Sequence, residues 1–178
     1  MKIPYFSFGL WFTICLYQFI FIFNFNTVLS PIADPYSEAN ALRAALSYNQ
    51  QGFSRSFGLP HIHYKGITFH DFNEVNEEDI PYLHYPPGPD LIAGILMLIF
   101  GKDHVVYYRL FPISLGLICG LFFFYGLSLW FKGWNLYLSS ILLSLCPISY
   151  NMMHGLHYQG YAQSLLMLSL GLLMTQIK

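Results

Sequence analysis

The sequence predicts an all-α polytopic membrane protein with about four transmembrane helices, one interfacial helix and a large water-facing first loop. Three observations carry that prediction. Of 178 residues, 55% are hydrophobic and only 10% are charged, where soluble domains average roughly 25% charged. Between Arg109 and Lys178 the one charged residue is Lys132. Polar residues concentrate in 24–88, and this stretch holds the mean hydropathy down to +0.46. A surface so poor in charge excludes a cytosolic enzyme and a disordered regulator. It also excludes a nucleic-acid partner, which needs clustered Lys and Arg. The net charge of −1 adds nothing.

Residues 5–23 form an uncharged run of 19, enough to cross a hydrocarbon core of ~30 Å as a helix. A cleaved signal peptide has a shorter apolar region and a small-x-small site. Here the run is longer and is followed by Asn24-Phe25-Asn26, so an uncleaved anchor is expected. The first loop, 24–88, carries seven acids and three bases and no cysteine. Asp34-Pro35 reads as an N-cap followed by a first-turn proline. Ala39, Leu42, Ala45 and Leu46 then make an apolar stripe at helical spacing, and Gly52 is a suitable stop. This short amphipathic helix is expected to lie along the membrane surface.

Further along the loop, Ile62, Tyr64, Ile67 and Phe69 alternate with His61, His63, Thr68 and His70 around Lys65-Gly66. The alternation reads as a small hairpin with a two-residue turn, although Lys-Gly is a weaker turn signal than Asn-Gly. That register sets His61 opposite His70 with His63 on the same face. Three imidazoles there are weak candidates for a divalent metal; the plain alternative is the wet face of a half-buried hairpin. No other cofactor is expected. Glu74, Glu77, Glu78 and Asp79 read as a solvated turn, without the glycine and spacing of a calcium loop.

Pro86, Pro87 and Pro89 make a stiff lead into a helix over 89–101 and hold His84 and Tyr85 in fixed positions. The apolar part of that helix, 91–100, reaches only ~15 Å, so it is read as lying on the outer face. Spans are expected over 105–131, 133–153 and 158–174. With four spans, Lys2, Lys132 and Lys178 share the cytoplasmic side, and the first loop and the 154–159 turn face outside. Five spans would put Lys2, Lys102 and Arg109 inside instead. The positive-inside rule scores three against three, and segment length favours four. Cys15, Cys119 and Cys146 sit in apolar runs without disulfide or metal spacing and read as structural thiols.

The ordered pattern is similar to the C-type, polyprenyl-phosphate-sugar-dependent integral membrane glycosyltransferases, and most to the protein O-mannosyltransferase and lipid A aminoarabinose transferase group. The residues that carry the likeness are Asp34, the helix over 38–51 ending in Gly52-Phe53, and His84-Tyr85-Pro86-Pro87-Gly88-Pro89. Ile99-Phe100-Gly101 and Arg109-Leu110 continue it. The likeness covers the whole chain, but its motifs are short, and only the Pro-Pro segment with its downstream helix is moderately specific.

The resemblance implies an enzyme of the bacterial inner membrane or an equivalent membrane, multi-pass, with its site on the outer face. Its partners would be a polyprenyl-phosphate-linked sugar donor, an extracytoplasmic glycan, lipid or protein acceptor, and membrane lipid. Asp34 takes the place of the catalytic base, and a carboxylate near a membrane surface suits proton abstraction from a hydroxyl; helix N-capping is its other role. Glu38, His84, Tyr85, Arg109, His157 and Gln159 are the candidates for substrate or donor binding. Arg109 suits a phosphate leaving group, and snorkelling to the interface is the alternative.

Two departures stand out. The second outer loop, 154–163, lacks the carboxylate that relatives place there, which leaves His157 or Gln159 as substitutes. The chain also corresponds to the N-terminal module alone, so a fragment or one part of a split enzyme is expected. A non-catalytic membrane subunit or metal-handling protein built on His61, His63 and His70 is the competing reading. A transporter fragment fits poorly, because the spans carry almost no charge beyond Arg109.

Overall fold

The structure is a computed structural model that describes residues 4–24, 35–54, 59, 61–62, 80–81, 87–146, 156 and 158–177. Among these there are six helices: α1 (Tyr5–Asn24), α2 (Pro35–Gln51), α3 (Gly88–Phe100), α4 (Val105–Trp130), α5 (Gly133–Ser144) and α6 (Tyr158–Gln176). A strand pair, β1 (His61–Ile62) and β2 (Ile80–Pro81), completes the described elements. The chain divides into two compact units. The first holds Met1–Asn26, Arg109–Gly155 and Gln159–Lys178, and the second holds Thr27–Tyr108 and Leu156–Tyr158.

In the first unit, α1, α5, α6 and the larger part of α4 pack around Trp11, Cys15, Ile113, Phe123, Phe124 and Leu127. Trp11 is fully buried, and its indole N–H donates to Gly116 O at 3.2 Å. The same ring covers Gly120, where a Cβ would stand 2.0 Å from Nε1, so only glycine fits. Gly126 and Gly171 bring α4 and α6 together backbone to backbone: a Cβ on Gly126 would meet Gly171 O at 2.6 Å. Close approach through small residues is how helices associate where no hydrophobic driving force exists between them.

Contacts also set the helix directions in this unit. Gly126 against Gly171, and the 3.0 Å bond from Trp130 Nε1 to Met174 O, make α6 parallel to α4. Ser7 Oγ lies 2.7 Å from Ser140 Oγ, and the Phe6 and Tyr137 rings meet edge to face at 4.8 Å. These contacts put the start of α1 beside α5, while Trp11 on Gly116 and Gly120 makes α1 antiparallel to α4. One end of the unit therefore gathers the start of α1, the end of α4, the start of α5 and the end of α6. Large apolar side chains such as Phe12, Ile118, Leu142 (64% exposed) and Leu166 point outward, whereas Ser7, Gln18, Ser140, Ser144 and Ser164 are buried. Large apolar side chains are thus exposed around a core that is itself apolar, more than a water-soluble bundle shows.

In the second unit, α2 lays Ala41, Leu42 and Ala45 against Ala93 and Met97 of α3, with Tyr108 and Leu156 closing the cluster. Gly52, at φ +85°, ends α2 with its N–H on Tyr48 O. That turn brings Phe53 back over Tyr48, the rings stacked 4.9 Å apart at 9°. Ile95, Leu98, Ile99 and Phe100 occupy the other side of α3 and are exposed. Gly101, at φ +82°, closes α3, and the Tyr108 hydroxyl donates to its carbonyl.

Helix α4 matches the expected 105–131 segment to within a residue, and it alone among the described helices is long and apolar enough to cross a membrane. Helix α3 matches 89–101 equally well. The third expected span, 133–153, is corrected in part. Helix α5 covers Gly133–Ser144, 12 residues, or ~18 Å. Pro147, whose ring cannot follow a helical residue without disturbing it, comes two residues after the turn at Leu145 in the sequence, and 147–155 lie outside the described residues. The described pairing at this point is a different one, His61 with Pro81 and Ile62 with Ile80; the expected turn and return arm of the 61–70 hairpin lie outside the described residues. The strand partner comes from the segment ahead of the proline run, as the weak Lys-Gly turn signal allows, and 63–70 lie outside the described residues.

Candidate functional site

Helix α2 starts at Pro35, the residue after Asp34, and its first turn carries Glu38. Asp34, His84, Tyr85 and His157 lie outside the described residues, as do His63 and His70 and the side chain of His61. Glu38, Arg109 and Gln159 are described.

Glu38 is fully buried in the second unit, and Arg109 is 1% exposed in the first. A charge removed from water costs several kcal/mol unless it is compensated, and neither side chain is without a partner. A guanidinium at 1% exposure is held inside the unit rather than reaching its surface. Gln159 stands exposed in the first turn of α6 and is likewise partnered.

The best-defined polar geometry lies where α2 ends against α3. Asn49 Nδ2 donates both to Ala45 O at 2.8 Å and to Gly94 O at 3.0 Å, tying the end of α2 to the middle of α3. Gly94 is needed there, since a Cβ would come within 2.9 Å of the Tyr48 ring and 3.1 Å of Phe53. One helical turn before Gly94 sits Asp90, in the first turn of α3. Burial pushes its carboxyl up to about 7. Tyr48 is raised too, first by its own burial and then by the charge of Asp90. Asp90 lies directly after Pro89, the last residue of the proline run.

Asp90 is the residue that sequence reasoning missed. A lone acid in the first turn of a helix reads as favourable placement against the macrodipole. Asp90 is half-buried, which no local pattern announces. Among the described residues no group of three His, Cys, Asp or Glu side chains is placed to hold a metal ion.

Comparisons with protein-family models, with curated proteins and with solved structures find no match for this chain.

Proposed function

We propose that the chain is a membrane glycosyltransferase, or the N-terminal module of one, that moves a sugar from a polyprenyl-phosphate carrier to an extracytoplasmic acceptor. In the proposed reaction the acceptor oxygen bonds to the anomeric carbon as the bond from that carbon to the carrier phosphate breaks. The acceptor's hydroxyl proton goes to the Asp34 carboxylate. The bond's electron pair leaves on the phosphate oxygen, where a guanidinium such as Arg109 stabilises it. Glu38, His84, Tyr85, His157 and Gln159 are assigned to binding and orientation.

The observation that carries this reading is the buried side chain of Arg109, the fifth residue of the helix that is long and apolar enough to cross a membrane. An ionisable group kept there against its desolvation cost is a functional candidate by default. The four-span arrangement, with the first loop outside, draws support from the helix directions of the first unit. These gather the start of α1, Lys132 and the end of α6 at one end.

Transfer from a radiolabelled polyprenyl-phosphate sugar, assayed in membranes, tests the reaction. Asp34→Asn is expected to abolish transfer with expression intact, and Arg109→Lys to lower it at least tenfold. Full activity of Asp34→Asn removes Asp34 as the base. A cysteine introduced at position 154 tests the topology: labelling by an impermeant thiol reagent only after permeabilisation would overturn four spans.

A further inference from the structure

Helix α3 is apolar on every side, with Asp90 as its one polar side chain. A helix of that kind is stable where each of its faces is covered. One face has its cover: Ala93, Gly94 and Met97 are buried, and α2 lays Ala41, Leu42 and Ala45 on that side. The opposite face has none. Ile95, Leu98 and Ile99 form a stripe at i, i+3 and i+4 in which Leu98 is 67% and Ile99 64% exposed, and Phe100 is exposed beside it at the helix end. Helix α2 shows the reverse. From Glu38 onward, the side chains it leaves accessible are Asn40, Arg43, Asn49, Gln50 and Gln51, with Leu46 the one apolar residue among them. The two helices of the second unit therefore leave surfaces of opposite polarity uncovered.

What covers the α3 stripe follows from where α3 ends. Gly101, Lys102, Asp103 and His104 alone separate it from α4, the described helix that is long and apolar enough to cross a membrane. The first residues of α4 belong to the same compact unit as α3 and are packed on its end. The Tyr108 hydroxyl donates to Gly101 O, and the Tyr107 ring stands 5.2 Å from Phe100 and 5.5 Å from His104. Phe100, His104 and Tyr107 are all exposed, so the uncovered surface of α3 continues onto the first turn of α4. A spanning helix enters lipid at the headgroup level, where Tyr and Lys side chains anchor it, and Lys102 is exposed in the link. A helix packed onto that entry point lies at the same depth. With 13 residues, roughly 20 Å, α3 is too short to cross by itself.

We propose that the second unit sits on a lipid bilayer through α3 alone, with Ile95, Leu98 and Ile99 among the acyl chains and α2 held off the membrane by the breadth of a helix, ~8–10 Å. The apolar stripe of α2, which taken alone suits a membrane surface, is occupied by α3. This contact rests on the reading of α4 as a membrane span and is independent of glycosyl transfer.

The test uses the full wild-type chain in phosphatidylcholine liposomes, part of whose lipid carries a diazirine midway along one acyl chain. Photolysis marks the side chains that touch hydrocarbon, and peptide mass spectrometry locates the adducts. Ile118 and Phe122, exposed on α4, report on the span itself. Adducts are expected on Ile95, Leu98 and Ile99 and on these two α4 residues, with none on Asn40, Arg43 or Gln50. Adducts on α4 without any on α3 overturn the proposal and leave the span intact. Adducts on Asn40, Arg43 or Gln50 overturn it as well, by placing α2 on the bilayer. Adducts on α3 without any on α4 uphold the lipid contact and remove the span, whereas their absence from both helices removes both. Leu98→Cys tests a second copy of the chain as the cover. A bismaleimide cross-link between two copies that the wild type does not form, with α3 unmarked by lipid, would seat that copy on the stripe instead.

Discussion

The two compact units divide the charge of the chain unequally. The second holds all nine acids, together with Arg43, Arg55, Lys65 and Lys102, while the first holds four bases and no acid. Their packing differs in the same sense. In the second unit an Ala and Leu stripe of α2 is turned inward against α3, the pattern of a helix with one apolar face. In the first, serines and Gln18 are buried and large apolar residues face outward. The contrast lies in what each unit turns outward and what it buries. Outward Leu and Phe are costly beside water; Ser140 and Ser164 bond to carbonyls of their own helices, whereas Gln18 and the Ser144 hydroxyl are buried without a partner.

Glycine substitutions break this comparison most sharply. Gly120→Leu drives a side chain into the buried Trp11 ring and is expected to cost about 3 kcal/mol or more, read as lost thermal stability in detergent. Gly94→Ala meets the Tyr48 and Phe53 rings of the second unit at 2.9 and 3.1 Å. The contact is with side chains and not with backbone, so a cost of about 1–2 kcal/mol is expected in the same assay.

Asp90 sharpens the comparison through pH. Its folded-state pKa is raised to about 7, so the folded chain binds its proton more tightly than the unfolded chain. Stability from this group is therefore full below about pH 4, falls as pH rises to about 7, and is level above that. Asp90→Asn is expected to remove this slope and to be more stable than wild type by roughly 1–3 kcal/mol at pH 8, with near parity at pH 4. Denaturant midpoints across the range check it, and an unchanged slope would refute the assignment. The smallest effect is expected from Ser7→Ala. Ser140 Oγ keeps its bond to Leu136 O at 2.7 Å, so about 0.5–1 kcal/mol is lost.

Much of this was legible before any coordinates. The run from Val105 to Trp130 is bounded by charged residues on one side and by Lys132 on the other, and hydrophobic length alone defines it. Helix α3 follows from three prolines and a terminal glycine, and α2 from its alanine stripe. What resisted reading depended on distant partners. The end of α5 is not fixed by apolarity, which continues past Ser144 to Leu145 and Cys146. The pairing of His61 with Pro81 joins residues 20 apart in sequence, beyond any turn signal. The glycines at 120 and 171 look like ordinary helix positions until Trp11 and Phe122 are set against them. Within the candidate site, the buried state of Glu38 and Arg109 could be suspected from their rarity as charges, but that of Asp90 could not.

The backbone contact between Gly126 and Gly171 also has a meaning in time. Its two halves are 45 positions apart, so at roughly 5–20 residues per second of synthesis the α4 face waits several seconds for its partner. During that interval the notch at Gly126 has no backbone set into it. A chain interrupted before α6 emerges would carry that notch unfilled, with Trp130 Nε1 lacking the Met174 carbonyl it ends on.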